Sequence, residues 1–326
     1  MTQDPHDALC KAAFSHMENA VGAIKAALPP AVLAQLDLRS LRLSPASYVD
    51  ERLGKSFSDL VYEVELAGQP GFVCFLLYEH QSTEDPLAAL WAVFYMVRLW
   101  DRWLEDHPGA KQVPPVIPIV LYHGSRPWVA PLTLGALLDV PDAARAALGD
   151  LLPELRIQLD DLSRASDGAL RARSVSAFGR LAFLLLKHGR ALRARPGPDS
   201  LGAFVRSVAD LLAALRRFDR QRAWVYILEV TAESDIDLAI EALREALPTE
   251  HQEEVMTLGE ALRLEGRRQG KLEGKRETLL AQLRVKFRQL STESERRVAE
   301  ADEHALDRWT KAVLFAPTID EVWAAN

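Results

Sequence analysis

Carboxylates stand at the ends of two neighbouring apolar runs in the sequence. Asp59 opens the run "DLVYEVEL", and Glu79, His80 and Gln81 close the run "FVCFLLYEHQ". Residues two apart on a strand project from the same face, so Glu79 and Gln81 should point to one side and His80 to the other. Antiparallel pairing of the two runs would bring Asp59 next to Glu79. The pattern therefore predicts a pair of acids at one end of a sheet.

Two carboxylates this close repel each other and are costly to desolvate, unless a divalent cation lies between them. Their oxygen ligands suit Mg²⁺ or Mn²⁺. A metal ion held by two carboxylates with open coordination positions can orient a water, lower its pKa and offset the charge that develops on a phosphodiester. The other interpretation is that Asp59 and Glu79 are solvated acids at strand ends. Periodicity alone leaves both interpretations open.

Further residues near this pair could contribute. Asp50 and Glu51 precede the first run and could reach a metal ion, and Lys55 could supply a positive charge. His123 ends another apolar run, "IPIVLYHG", and could contact a phosphate. Each also has an ordinary structural interpretation, as a solvated turn residue or, for His123, as a core or turn histidine. These residues are secondary candidates for the site.

A helix and three strands should position these residues. Helical periodicity over residues 6–28 predicts the first helix, which a double proline ends. A short strand is expected over 41–49, and alternating apolar and polar residues predict a half-buried strand over 58–66. The turn sequence "AGQPG" then leads to 72–78, which is apolar at every position, as in a strand covered on both faces. The hairpin carries the two carboxylates.

A long helix and a further strand follow the hairpin. Asp85 should be the N-cap of this helix and Pro86 its first residue. Its aromatic residues have helical spacing, which favours the core over a base-stacking surface; they are Trp91, Phe94, Tyr95, Trp100 and Trp103. The run "PPVIPIVLYHG" predicts a buried strand, and strand signals fade from about Leu132. The fold class is therefore α/β, followed by a mainly helical C-terminal region.

Composition excludes several classes of protein. The chain has 326 residues and a formal net charge of -7, so binding to nucleic acid would need a local basic patch. Its two cysteines, Cys10 and Cys74, argue against a disulfide scaffold and for a reducing compartment. No segment approaches about 18 uninterrupted apolar residues, and the polar N-terminus is unlike a signal peptide. We therefore expect a cytoplasmic protein that does not span a membrane.

The C-terminal region contains a basic segment, although the chain as a whole is acidic. Gly266, Gly270 and Gly274 recur every fourth residue, and residues 260–290 contain nine Lys or Arg against four Glu. Glycines at this spacing line one face of a helix and permit close approach of another helix. Self-association is the favoured use of this segment, phosphate contact by its basic residues is the second, and a solvated helix remains open.

The residues of the hairpin and of the following strand resemble a known family. The segments "SFSDLVYEVEL", "GFVCFLLYEHQS" and "PPVIPIVLYHG", in this order and with the long helix before the last, are similar to the recombination-promoting nuclease (Rpn) or putative transposase family. That family lies within the PD-(D/E)XK nuclease superfamily. The similarity covers residues 7–128, and the glycine-phased segment resembles the tail of many such proteins.

The resemblance implies a fold and a role for each site residue. It implies a PD-(D/E)XK nuclease-like core of helix, mixed β-sheet and helix over residues 1–130, a helical region over 131–250 and a helical tail over 251–326. By the same resemblance, Asp59 and Glu79 are the metal ligands. Gln81 takes the place of the motif's lysine, so it can orient a water by hydrogen bonds but supplies no positive charge.

Together these observations predict a metal-dependent endonuclease that hydrolyses DNA phosphodiester bonds, linked through the family resemblance to recombination or mobile elements. Mg²⁺ or Mn²⁺ is the expected cofactor, and Asp59, Glu79 and Gln81 are the expected catalytic residues. DNA is the expected partner, together with a second copy of the chain bound through the tail. The alternative is a catalytically weak DNA-binding or self-assembling protein of the same fold.

Overall fold

The computed structural model describes residues 4–44, 60–193, 198–231 and 235–325. The chain divides into two compact units, Met1–Val255 and Met256–Asn326. The first unit contains the sheet and the candidate site, and the second is helical. A division of the first unit at about residue 130 stays a prediction.

One mixed sheet of five strands forms the centre of the first unit. Its strands, in chain order and in spatial order, are β1 Leu36–Leu43, β2 Leu60–Leu66, β3 Gln69–Gln81, β4 Val116–Tyr122 and β5 Gln158–Asp161. β1, β2 and β3 pair antiparallel, whereas β4 pairs parallel with both β3 and β5. The parallel pairs need crossover connections, and α4 (Ala88–Asp106) supplies the one between β3 and β4. The carboxyl ends of β3, β4 and β5 therefore lie at one edge of the sheet.

The predicted hairpin of β2 and β3 is present with a shorter turn than expected. Leu66 pairs with Gln69 across a turn of two residues. Gly68 in this turn has a φ of 73°, in the left-handed region where glycine avoids the steric cost of a Cβ. Leu60 pairs with Tyr78 at the far end of the hairpin, so the ladder leads directly to the predicted site.

Strand β3 is longer than the apolar run 72–78 at both ends. It continues through Glu79 to Gln81, so these two residues belong to the strand itself. At its start, Phe72 is 63% exposed, and the prediction of burial is wrong there because the register with β2 is irregular at this point. Strand β1 begins before the predicted residue 41, and residues 45–49 of that predicted strand lie outside the described residues.

Different helices cover the two faces of the sheet. On the first face, here called the α4 face, helix and strand residues form one buried cluster of Val61, Phe75, Leu77, Tyr95, Met96, Leu99 and Val116. On the other face, the α7 face, the ring of Phe14 lies 5.6 Å from that of Tyr78 and 5.0 Å from that of Phe183. Phe14 belongs to α1 (Pro5–Phe14) and Phe183 to α7 (Ala177–Arg193). The α7 face is thus closed by elements far apart in sequence.

The single N-terminal helix that we predicted is two helices, α1 and α2 (Met17–Ala27). Asn19 holds the break: its Nδ2 donates to the carbonyl of Ala13 at 2.9 Å, and its Oδ1 accepts from the backbone N–H of Ser176 at 2.9 Å. This second bond joins the break to the start of α7. A contact over such a distance in sequence leaves no local pattern, so the periodicity of the segment did not indicate the break.

Helix α4 begins two residues later than predicted. Asp85 Oδ1 accepts from the backbone N–H of Leu87 at 2.8 Å, in a turn that precedes Ala88. Among the aromatic residues, Tyr95 is buried as expected, whereas Phe94 is 49% exposed, so the core prediction is wrong for Phe94. The helix is apolar around more of its circumference than the sheet can cover.

No strand was predicted after residue 132, and this prediction is wrong, because β5 follows at Gln158–Asp161. Gln158–Asp161 is four residues long and ends in two acids, so neither length nor alternation indicates a strand. Pairing with β4, from Ile119 opposite Gln158 onwards, supplies the hydrogen bonds that hold it. Tertiary pairing overrides local propensity here.

The remaining described elements of the first unit are helical. They are α3 Pro30–Leu33, α5 Asp142–Leu148, α6 Asp167–Arg171, α8 Pro198–Ala213, α9 Arg217–Val230 and α10 Ile236–Ala246, with 3-10 turns at Gly135–Leu137 and Gly149–Leu151. In the described ranges, no helix combines the length and the apolar character that crossing a membrane requires.

The second unit is a small helical assembly with its own core. Helix α11 (Thr249–Phe287) enters it, followed by α12 (Thr292–Glu300), α13 (Glu303–Ala312) and α14 (Ile319–Trp323). Its buried cluster is Leu279, Leu283, Val298, Ala301, Leu306, Trp309, Val313, Ala316 and Val322. α11 continues through the phased glycines, and a Cβ added at Gly270 or Gly274 would meet no atom within 4 Å. That face of the helix is open at both positions.

Candidate active site

The carboxyl end of β3 holds two polar side chains that are almost completely buried. Glu79 is 3% exposed and Gln81 7% exposed, and the strand's alternation directs both toward the α4 face. Gln81 Nε2 donates to Glu79 Oε1 at 2.7 Å. The predicted pairing of these two residues on one side of the strand is therefore found, as a direct hydrogen bond.

Burial makes ionisation of Glu79 unfavourable. Loss of hydration raises the pKa of Glu79 to about 7, the hydrogen bond from Gln81 opposes this shift, and the negative charge of Asp85 adds to it. The protonated form of the carboxyl is therefore favoured up to a higher pH than in water. A cation bound at this carboxylate would favour the ionised form and release a proton.

Gln81 has a buried acceptor that no described residue satisfies. Its Oε1 is inaccessible to solvent and receives no hydrogen bond from the part of the chain that the structure describes. The Nε2 side of the amide faces Glu79 and donates to it, so Oε1 is the atom left without a described partner. An orphaned amide oxygen beside a carboxylate suits a hard cation or an ordered water, because both satisfy oxygen lone pairs. The donor set of Glu79 and Gln81 thus fits a divalent cation.

On the other side of β3, His80 belongs to a buried cluster of rings. His80 Nδ1 lies 3.5 Å from His123 Nε2, and the ring of His6 lies 5.0 Å from that of His123. The hydroxyl of Tyr226 lies 2.8 Å from His6 Nδ1. These contacts tie α1 and α9 to the ends of β3 and β4, so the cluster supports the strand from the α7 face.

His123 lies inside this cluster with 0% exposure. Burial, followed by the charges of the neighbouring histidines and Arg190, moves its pKa well below the usual range. The ring is therefore neutral. Its suggested role as a phosphate contact stays a prediction, and this placement does not favour it.

Asp161 is a residue near the site that sequence reasoning missed. Gln81 pairs with Tyr122 and Tyr122 with Asp161 along the parallel strands, so all three project from the α4 face. Asp161 Oδ2 accepts from the backbone N–H of Trp128 at 3.0 Å and also contacts Arg164 at 3.2 Å. These bonds hold the loop after β4 beside the sheet edge. The absence of a predicted strand here hid this residue.

Four predicted site residues lie outside the described residues: Asp59, Asp50, Glu51 and Lys55. Asp59 directly precedes Leu60 in the chain, and Leu60 pairs with Tyr78, the neighbour of Glu79. Within the described ranges, no group of three or more His, Cys, Asp or Glu side chains could hold a metal ion. The described part of the candidate site is therefore the pair Glu79 and Gln81.

Comparison with known proteins assigns the family. The model of the family described as "Putative transposase, YhgA-like" matches residues 4–223. That range contains the whole sheet and the candidate site. The chain belongs to the YhgA-like putative transposase family.

Relatives within this family include recombination-promoting nucleases. The chain is 31% identical over 265 residues to recombination-promoting nuclease RpnD of Escherichia coli O157:H7, covering 80% of this chain and 95% of the relative. It is 29% identical to recombination-promoting nuclease RpnA of Escherichia coli K12, covering 80% and 84%. It is also 27% identical to the inactive recombination-promoting nuclease-like protein RpnE of the same strain, covering 94% and 96%. The relatives thus include nucleases and an inactive form.

No solved structure is significantly similar to the chain.

Proposed function

We propose that this protein is a metal-dependent endonuclease that hydrolyses DNA phosphodiester bonds in recombination or mobile-element contexts. The observation that carries the proposal is the buried, hydrogen-bonded pair of Glu79 and Gln81 at the carboxyl end of β3. A carboxyl whose pKa is raised to about 7 by burial is costly as an isolated structural group, and perturbed acids of this kind cluster at functional sites. Its occurrence in a relative of named nucleases favours catalysis.

In this proposal Glu79 and Asp59 hold the divalent cation, Mg²⁺ or Mn²⁺. A cation bound there would supply Lewis acidity toward the phosphodiester and an acidified water. Gln81 orients that water through its amide, and its hydrogen bond to Glu79 fixes the carboxylate in one direction. The loop after β4, held by Asp161, borders the site. Asp50 and Lys55 remain secondary candidates.

We also propose that the core is of the PD-(D/E)XK type. The order of N-terminal helices, antiparallel hairpin, crossover helix and parallel strand supports this. Residues 1–130 would form this core, residues 131–250 would complete or flank it and residues 251–326 would form a tail that mediates self-association.

A catalytically weak DNA-binding or self-assembling protein is the second candidate. The named inactive relative aligns with 94% of this chain, so the family contains such forms. Gln81 is also neutral where the superfamily motif has lysine, which removes one source of transition-state stabilisation.

Incubation of supercoiled plasmid with Mg²⁺, Mn²⁺ or EDTA distinguishes the two candidates. The wild type should nick the plasmid with a metal ion and not with EDTA. Asp59→Ala and Glu79→Gln should each lower the rate by roughly a hundredfold or more, because even outer partners of metal ligands contribute about 10- to 100-fold. Glu65→Gln, the same type of charge loss on the neighbouring strand β2, is the matched control and should cut normally.

Two outcomes would contradict these proposals. Full activity of both Asp59→Ala and Glu79→Gln would show that the site is wrong. Absence of nicking by the folded wild type with either metal ion would favour the binding candidate.

A further inference from the structure

An arginine from a distant helix reaches the end of strand β3. Arg190 lies in the last turns of α7, and its Nη2 donates to Ser82 Oγ at 3.2 Å. Ser82 directly follows Gln81. Arg190 is half-buried, and its bond to Ser82 holds the guanidinium at the end of β3 rather than extended into solvent. The contact joins elements 108 residues apart in sequence.

Arg190 has no acidic partner in the described structure. Among the described residues, no carboxylate oxygen lies within 4.0 Å of its guanidinium nitrogens. Two of the acids near this edge already have other partners. Glu84 accepts from the backbone N–H groups of Val129 and Ala130, and Asp161 contacts Arg164. No described acid therefore neutralises the positive charge of Arg190 by a direct ion pair.

The field of Arg190 extends across this edge of the sheet. Burial raises the pKa of Tyr122 and Arg190 opposes that shift. Arg190 also adds to the effects of burial and of the other histidines that lower the pKa of His123. Both residues stand at the end of β4, next to β3. The guanidinium is thus close to the carboxyl ends of both strands.

The described pair of the candidate site, Glu79 and Gln81, offers a phosphodiester no positive charge. Glu79 and Asp85 are near each other, and Gln81 offers only a neutral amide. Binding of a polyanion requires a cation at such a site, and Arg presents five donors in a fork that matches phosphate oxygens. The bond to Ser82 uses one of these donors and leaves the others.

We propose that Arg190 contacts a backbone phosphate of bound DNA and supplies the positive charge that Gln81 lacks. The proposal rests on the proposed function, because it assumes that DNA enters this edge of the sheet. Arg190 would be a substrate-binding residue, with Ser82 as the neutral group that positions it. The competing explanation is a purely structural arginine near the C-terminal end of α7, where a cation interacts favourably with the helix dipole.

Binding to a short fluorescein-labelled duplex DNA distinguishes these explanations. EDTA is present so that the DNA is not cleaved during the measurement. Affinity is measured from roughly 50 to 200 mM salt for the wild type, Arg190→Gln and Arg190→Lys. Arg190→Gln removes the charge and can still bond to Ser82. It should bind roughly tenfold or more weakly, with a log–log salt slope lower by about 0.9, the contribution of one phosphate contact. Arg190→Lys should keep the slope.

Arg39→Ala is the matched control, because it removes the same charge from a side chain that is 94% exposed on β1. It should match the wild type in affinity and slope. The double variant Gln81→Lys with Arg190→Gln should recover the lost slope, because lysine restores a cation beside the same phosphate. Thermal unfolding of every variant confirms that the fold is retained, and Arg190→Ala is the second variant if Arg190→Gln does not fold.

The outcomes for this inference and for the proposed function are separable. Suppose that the wild type binds and cuts DNA, and that Arg190→Gln and Arg190→Ala have the same salt slope and DNA affinity as Arg39→Ala. The assignment of Arg190 is then overturned, and the proposed function stands. If the wild type neither binds nor cuts DNA, both are overturned. Recovery of the slope by Gln81→Lys would support a shared phosphate and not a structural role for Arg190.

Discussion

Glu79 is held where its charged form is unfavourable, and Gln81 only partly offsets this. In the unfolded chain the pKa of this carboxyl is near 4.5, and in the folded protein it is about 7. Below pH 4.5 both states are protonated and the group has no effect on stability. As the pH rises to 7, the unfolded chain ionises first, so the free energy of unfolding falls. Above pH 7 the raised pKa of Glu79 lowers the free energy of unfolding by its full amount, roughly 3 kcal/mol at 1.36 kcal/mol per pKa unit.

Replacing this carboxyl with an amide should therefore stabilise the protein in a pH-dependent way. We expect Glu79→Gln to raise the free energy of unfolding by up to about 3 kcal/mol at pH 8 in EDTA, and by little at pH 4.5. Urea unfolding at both pH values measures this. Glu65→Gln is the control, and an equal effect of Glu79→Gln at both pH values would contradict the burial argument.

At the scale of elements, local patterns account for what the sequence predicted correctly. Alternation and a turn with Gly68 indicate the hairpin of β2 and β3, and the same alternation places Glu79 and Gln81 on one face. What the sequence did not predict depends on partners far away. β5 exists through its pairing with β4, and the contact of Arg190 with Ser82 comes from α7. Neither leaves a signal in its own segment.

A buried ion pair connects β5 to the segment before α7. Asp160 is 6% exposed, and its two carboxylate oxygens accept from Arg173 at 2.6 and 2.7 Å. The guanidinium carbon of Arg173 also lies 4.2 Å from the ring centroid of Phe183. Removing one partner would leave the other charge buried and unpaired, which costs about 3–5 kcal/mol.

We therefore expect Asp160→Asn to destabilise the protein by roughly 3 kcal/mol in urea unfolding. Asp210→Asn is the matched control, because Asp210 pairs with Arg171 at 2.9 Å but its side chain is 68% exposed. Exposed pairs contribute about 0–1 kcal/mol. Similar effects of the two substitutions would show that the pair of Asp160 and Arg173 is solvated in solution.

At the scale of the whole molecule, the candidate site and the second unit are formed by different parts of the sequence. Every candidate site residue lies in Met1–Val255, and the glycine-phased helix α11 leads into the second unit. Part of the basic excess is neutralised inside that unit, where Lys275 contacts Glu303 and Asp307 at 2.8 and 2.5 Å. These pairs weaken the phosphate-contact interpretation of the tail relative to self-association.

Truncation before Gly259 tests the role of the tail. If the open face at Gly270 and Gly274 mediates self-association, the shortened chain should be a smaller species in light scattering. It should still cut DNA at high protein concentration. If the basic residues contact phosphates, the salt slope of DNA binding should instead fall by about 0.9 for each lost contact, with no change of size. An unchanged size with an unchanged slope would leave a solvated helix as the explanation.

The bond between Tyr226 and His6 has a consequence for synthesis of the chain. Its two residues are 220 positions apart. Ribosomes add about 5–20 residues per second, so α1 waits on the order of ten seconds or longer for the helix on which it docks. Until residues 177–193 have been made, the α7 face of the sheet, with Tyr62 and Tyr78, has no cover from α7, and α9 follows later still. The nascent chain therefore depends on late-arriving residues to complete its core, and a chain arrested before residue 177 should remain sensitive to protease.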